Sequence, residues 1–307
     1  MTSIRKGAIH LFRFQGIDVY LHWSWFFVAV LEVVYRPLKY SSIYWNILEY
    51  LALFVIVTIH EFGHALACRQ VGGTANQIVL WPLGGVAYVD PPPRPGAFLW
   101  SIAAGPLVNV ALAPVLYALW RISKTLGWPQ SDPNLNLFLF AILWIDLVLL
   151  IFNMLPIYPL DGGQILQSLL WFGLGRARSL MAAAVVGFIG VAGLGLLALR
   201  SQSMWIGIIA LYILMNCWNG MRQGLAMWRL EKSPRRAGYA CPACRLSPPA
   251  GAHWLCGKCR EPFDTFESQG VCPHCKTQFS GTGCLNCHTM SALTQWGATI
   301  PAPPRSL

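Results

Sequence analysis

The sequence predicts an α-helical polytopic membrane protein of about six transmembrane helices with a short re-entrant β-hairpin, followed by a small water-exposed domain. Three observations carry this. Only 11% of the 307 residues are Asp, Glu, Lys or Arg, against about 25% in a soluble globular domain. Several stretches approach the ~20 apolar residues that cross a bilayer as a helix. Beyond residue 234 the long apolar runs stop, and eight of the ten cysteines crowd into residues 241–287.

In chain order the spans are expected near residues 20–35, 45–68, 97–120, 135–155, 180–200 and 203–222. The third, fourth and fifth are clear apolar runs, whereas the first is short and carries Glu32 and the second carries Glu49. Residues 1–20 hold charges and no isolated apolar core ending at a small-residue site. The first span is therefore expected to act as an uncleaved signal anchor. Lys and Arg accumulate in cytosolic loops. With both termini in the cytosol, that side receives twelve of them, Arg5, Lys6, Arg69, Arg176 and Arg235 included, against five outside, Arg36, Lys39 and Arg121 included. An even span count agrees, so a multi-pass cell-membrane protein with cytosolic N- and C-termini is expected. The net charge of +10 then reflects topology rather than nucleic-acid binding. PPPRP at 91–95 reads as a stiff turn into the third span.

Residues 51–67, LALFVIVTIHEFGHALA, place three ionisable groups inside a buried helix. His60 and His64 stand at i and i+4, so both imidazoles leave one helix face a turn apart. That separation suits two ligands of one tetrahedral zinc ion, with Glu61 between them reaching a water on the metal as general base. The plain alternative is a pair of core histidines bonded to backbone. A carboxylate at mid-bilayer costs roughly 2.5–3.5 kcal/mol and normally marks function, which favours the metal.

Catalytic zinc usually has three protein ligands. The other membrane-half carboxylates are Asp18, Glu32, Glu49, Asp90, Asp132, Asp146 and Asp161. Asp161 stands out in FNMLPIYPLDGG, where two prolines break a span and Asp161 opens a new helix beside two glycines. Taken alone, a simple N-cap is the stronger explanation of it. Asp146, buried at helix spacing, is the other candidate, against a hydrogen-bonded structural aspartate.

H-E-F-G-H in a membrane helix, followed about 90 residues later by N-x-x-P-x-x-P-L-D-G-G, resembles the site-2 protease family of intramembrane zinc metalloproteases. WPLGGVAYV at 81–89 and AGPLVN at 104–109 match the same family. The resemblance covers roughly residues 18–225 and implies that His60, His64 and Asp161 bind zinc, that Glu61 is the catalytic base, and that Asn153 lies near the scissile peptide. It also implies an endopeptidase that cuts transmembrane or membrane-adjacent segments of other proteins, often regulators of transcription. About 45 residues separate AGPLVN from LPIYPLDGG, too few for a PDZ domain, so the chain resembles the compact branch. Members of that branch often carry a nucleotide-sensing tail of paired CBS motifs, where this chain has cysteines.

The tail holds four C-x-x-C pairs: Cys241/Cys244, Cys256/Cys259, Cys272/Cys275 and Cys284/Cys287. With Pro or Gly in the knuckles, these read as two structural four-cysteine zinc sites of ribbon type. Disulfides are the alternative, disfavoured in a reducing cytosol. Spacing leaves open whether the pairs combine in sequence order or interleave. His253, His274 and His288 read as bystanders. From Pro234 onward seven Lys/Arg face three acidic residues. Eight thiolates around two zinc ions offset that excess, so a phosphate-binding surface is not expected. The tail is read as a regulatory or protein-recognition module.

The domains expected are therefore an intramembrane metalloprotease over residues 1–233 and a cytosolic double zinc ribbon over 234–307, with one catalytic and two structural Zn2+. The expected partners are membrane-protein substrates, the lipid bilayer and a regulatory protein at the tail. The competing classes are a non-cleaving scaffold derived from such a protease and a zinc sensor or transporter. An intact Glu61 speaks against the first. Ligands converging on one membrane depth speak against the second. Residues 74–89, TANQIVLWPLGGVAYV, are the proposed re-entrant hairpin. They are rich in β-branched and aromatic residues around Pro82, Gly84 and Gly85, and one open edge is expected to face the zinc cleft.

Overall fold

Between residues 8 and 22, Gln15 and Gly16 both adopt positive φ (48° and 75°), the backbone that a two-residue hairpin turn requires. The result is an antiparallel pair, β1 (Ala8–Phe14) and β2 (Ile17–His22), closing at Phe14 opposite Ile17. The structure, a computed structural model, describes residues 7–34, 39–81 and 84–297. Arg5, Lys6, Arg36 and Pro82 lie outside the described residues, as does the side chain of Glu32.

Two further strands, β3 (Thr74–Trp81) and β4 (Gly84–Asp90), form the hairpin expected at 74–89. It is half of a four-stranded sheet in the order β1-β2-β3-β4, because β2 pairs in parallel with β3 from Asp18 opposite Gln77 to Leu21 opposite Leu80. The inner sheet face carries Ile17, Val19, Ile78 and Leu80, all fully buried, packed with Trp25, Val57, Ala65 and Cys68. Val57, Ala65 and Cys68 belong to α2 (Ile43–Gln70), so the sheet rests on the helix that bears the H-E-x-x-H residues.

The expected first span is corrected by this sheet. Tyr20, Leu21 and His22 are strand residues, since their period-2 pattern finds a partner in β3. Only α1 (Ser24–Val34) follows, and its eleven residues reach about 16 Å at ~1.5 Å each, short of a ~30 Å hydrocarbon core. Among the described residues five helices, not six, are long and apolar enough to cross a membrane. They are α2, α3 (Pro95–Thr125), α5 (Pro133–Asn153), α7 (Arg176–Ser201) and α8 (Met204–Lys232). Short helices α4 (Trp128–Ser131) and α6 (Asp161–Leu174) lie either side of α5 in sequence.

The chain divides into two compact units, residues 1–224 and 225–307, nine residues before the boundary read from composition. The second unit repeats one backbone device four times. In each C-x-x-C pair the residue after the second cysteine has positive φ: Arg245 (61°), Arg260 (62°), Lys276 (58°) and His288 (59°). Its N–H returns to the carbonyl of the pair's first cysteine at 2.8–2.9 Å, which curls both thiols to the same side. Short strand pairs Trp254–Leu255 with Pro262–Phe263, and Gly281–Gly283 with Met290–Ala292, connect the turns. The core is Trp254, Phe263, Phe266 and Trp296 with buried cysteines. So small a core suggests that cross-linking by metal matters here.

Candidate functional site

His60 and His64 lie one turn apart on α2, buried, with Nε2 atoms 3.1 Å from each other. Asp161, at the start of α6, brings Oδ2 to 3.1 Å from His60 Nε2 and 3.4 Å from His64 Nε2. The chain can place a carboxylate there because α5 ends at Asn153 and the prolines at 156 and 159 break the helix. Leu160 caps the new helix in extended backbone, and Asp161 is its first residue rather than its N-cap.

The far side of each imidazole fixes the near side. His64 Nδ1 meets the Ser101 carbonyl at 3.0 Å. A carbonyl only accepts, so the proton sits on Nδ1 and Nε2 keeps its lone pair. His60 Nδ1 meets Asn109 Oδ1 at 2.6 Å, while Asn109 Nδ2 donates to Asp146 Oδ1 at 2.7 Å. The same logic leaves the His60 Nε2 lone pair facing inward. Three acceptors therefore converge, and Asp161 Oδ2 is buried without a hydrogen-bond partner among the described residues. Acceptors cannot satisfy one another. A cation can satisfy all three, and the two-imidazole, one-carboxylate donor set suits zinc.

Glu61 is buried on the same helix and points to the sheet, where its Oε2 accepts from Ala87 N–H at 2.8 Å. Space at the site depends on missing side chains. A Cβ on Gly105 of α3 would strike the His64 imidazole, and one on Gly85 of β4 would strike the Glu61 carboxylate. Asn153, the last residue of α5, is half-buried. Among the described residues no hydrogen bond ties it to His60, Glu61, His64 or Asp161. Asp146, considered from sequence as a ligand, is linked to the cluster by hydrogen bonds through Asn109.

The tail cysteines gather into two further clusters, all eight thiols free. Cys241, Cys244, Cys284 and Cys287 form one, and Cys256, Cys259, Cys272 and Cys275 the other. Sulfur separations are 3.6 Å for Cys241–Cys287, 3.7 Å for Cys244–Cys284, 3.5 Å for Cys256–Cys275 and 3.7 Å for Cys259–Cys272. A tetrahedron with zinc–sulfur bonds of ~2.3 Å has sulfurs about 3.8 Å apart, so the donor sets fit. The pairs combine first with fourth and second with third, an order that spacing left open. His253, His274 and His288 belong to neither cluster. The hydroxyl and N–H of Thr277 hold the Cys275 thiol down at about 6, whereas burial and the neighbouring thiols push Cys259 of the same cluster up to about 12.

Reading residue types missed Asn109, Ser101 and the Ala87 N–H. AGPLVN marked Asn109 as part of a motif, but nothing in one sequence shows a backbone donor or acceptor.

The sequence pattern of peptidase family M50 matches residues 49–131 and 128–197. A zinc metalloprotease of Methanocaldococcus jannaschii is 31% identical over 208 residues, 67% of this chain and 58% of that protein. The putative zinc metalloprotease Rip3 of Mycobacterium tuberculosis is 28% identical over 200 residues, 59% of this chain and 50% of its own length. A putative zinc metalloprotease of Synechocystis is 26% identical over 248 residues, covering 75% of this chain and 62% of the relative. The chain thus spans between 50% and 62% of the length of these three relatives. Among solved structures, the site-2 protease from Methanocaldococcus jannaschii superposes with a TM-score of 0.52 at 27% identity, over 70% of this chain and 95% of that one.

Proposed function

The chain belongs to the site-2 protease family, peptidase family M50, and on that premise we propose that it is a zinc-dependent intramembrane endopeptidase. Its substrates are transmembrane or membrane-adjacent segments of other proteins. The observation that carries this reading is the convergence of His60 Nε2, His64 Nε2 and Asp161 Oδ2, with Glu61 on the same helix. Zinc held by these three would lower the pKa of a water toward neutrality and polarise the scissile carbonyl.

The protein's own groups supply the rest. Glu61 takes the proton from the attacking water and passes it to the leaving amine. The Ala87 N–H holds one Glu61 oxygen and leaves the other free for that transfer. Asn153 is assigned to the substrate backbone beside the scissile bond, as in the family pattern. A helix resists cutting until its backbone is exposed, so β4, an end strand of the sheet, is the proposed edge to which unwound substrate adds. We place the hairpin as re-entrant, within the membrane region.

The proposed domains are the protease over residues 1–233 and a double zinc ribbon over 234–307. The ribbon holds two structural zinc ions, faces the cytosol and serves protein recognition. The loop charge bias supports cytosolic termini. Both ends on one face requires an even number of crossings, one more or one fewer than the five candidate helices among the described residues. The deciding experiment assays purified full-length protein on candidate single-span substrates, with and without chelator. Chelator-insensitive cleavage, or cleavage retained by Glu61→Gln, would refute the mechanism.

A further inference from the structure

α5 is the most apolar of the five candidate spans, with a mean hydropathy of 2.6 over its best window, yet its Asp146 is fully buried. The proposed chemistry does not use this carboxylate, and its Oδ2 has no hydrogen-bond partner among the described residues. A buried carboxylate kept in a membrane helix calls for a reason beyond packing.

Its hydrogen bond leads to the metal cluster. Asp146 Oδ1 accepts from Asn109 Nδ2 at 2.7 Å, and Asn109 Oδ1 faces His60 Nδ1 at 2.6 Å. An amide has an accepting end and a donating end and can rotate to exchange them. A carboxylate tolerates only the donating end. That choice turns the amide oxygen to His60, puts the ring proton on Nδ1, and leaves the Nε2 lone pair toward His64 and Asp161. The reversed amide would put an N–H against Nδ1 and drive the proton onto Nε2, where it blocks ligation.

We propose that Asp146 is a positioning residue that sets the tautomer and orientation of His60 through Asn109, and thereby the affinity of the membrane site for zinc. The inference rests on His60 being a ligand, as proposed above, and assigns Asp146 no contact with substrate or metal. Outer partners of ligating histidines typically change metal affinity by about 10–100-fold when removed.

The test measures free zinc at half occupancy of the membrane site in full-length protein by chelator competition. Thiolate-bound zinc is then released with a mercurial and counted separately. Asp146→Ala and Asn109→Leu should each raise the half-occupancy concentration about 10–100-fold, and the double variant should add nothing beyond the larger single effect. Asp146→Asn keeps the shape but can present either amide end, so it should weaken binding without unfolding the helix. Tail zinc should be unchanged throughout. Asp146→Asn and Asp146→Ala proteins that bind zinc within twofold of wild type, or single effects that multiply in the double variant, would make Asp146 a structural aspartate. Wild-type protein lacking zinc at this site would remove the protease reading as well, so the two failures are distinguishable.

Discussion

The carboxylate of Glu61 is held by a sheet edge: its Oε2 accepts 2.8 Å from the backbone N–H of Ala87. On its other side Ala87 is in register with Ile78 of β3, so the N–H that finds Glu61 points away from the pairing partner. The same backbone row that would receive a substrate strand thus touches the proposed base.

Replacing Glu61 by Gln should remove catalysis, by about 10²–10⁴-fold or more for loss of a general base, and leave zinc in the membrane site. His60→Ala, His64→Ala or Asp161→Ala should lose activity with the metal. Metal analysis beside a turnover assay separates the two classes, and a zinc-depleted Glu61→Gln protein would contradict the division of roles.

Strand addition makes a positional forecast for single cysteines in the Glu61→Gln background. Val86 and Tyr88 of β4 are 39% and 38% exposed, whereas Ile78 and Leu80 of β3 are fully buried. Substrate adducts should therefore come from 86 and 88 and shift in step along the substrate, with none from 78 or 80. Adducts confined to the outer faces of α2 and α3 would remove β4 from substrate binding.

Gly105→Ala should displace the His64 ring, because the added Cβ has no other space. Overpacking of this kind costs about 1–3 kcal/mol. The expected result is weaker membrane-site zinc and lower activity, with tail zinc unaffected. Unchanged zinc affinity would show that α3 can withdraw.

Full-length protein should carry about three zinc ions per chain, two of them bound by thiolates. Cys241→Ser should empty the site formed with Cys284 and Cys287, and Cys256→Ser the site formed with Cys272 and Cys275. Mercurial-released zinc falling by one ion in each case, and by two in the double variant, is the expected readout. Loss of both from either single change would mean the sites load as one unit.

Asp264 in the second unit should give an acid dependence. Burial raises its pKa, but N–H donors of Gly251, Glu267 and Phe266 and the Arg236 guanidinium outweigh this and leave it below the usual carboxylate value. A depressed pKa means stability fully present above the unfolded value of ~3.9 and lost as pH falls through the folded one. Asp264→Asn should therefore lower the stability of this unit at pH 7, with the gap from wild type closing as pH falls below about 4. A gap that stays constant with pH would assign the loss to packing.

Fixed spacing made much of this legible. His60 and His64 announce a shared face, Cys-x-x-Cys announces a knuckle, and two prolines before Asp161 announce a broken helix. What spacing cannot carry is pairing over distance. Asn109 and Asp146 are 37 residues apart and acquire their relation only when α3 packs on α5. The strand Ile17–His22 was hidden for a related reason. Its apolar residues run on into those of α1, and only its pairing with β3 separates a period of two from an apolar span. The combination of cysteine pairs is equally silent in sequence, since any two knuckles look alike.

The nesting of the cysteine clusters sets an order of assembly. The inner site closes a loop from Cys256 to Cys275, which lies wholly inside the loop that the outer site closes from Cys241 to Cys287. Once the inner loop is shut, the outer ends have less free chain to bring together, and the entropy of their closure falls. If zinc fills both clusters, the shorter inner loop costs less to close, and the expected order is inner site filled first and outer site emptied first. Under limiting zinc the expected intermediate is then a tail with Cys256, Cys259, Cys272 and Cys275 gathered and the outer four cysteines not yet joined.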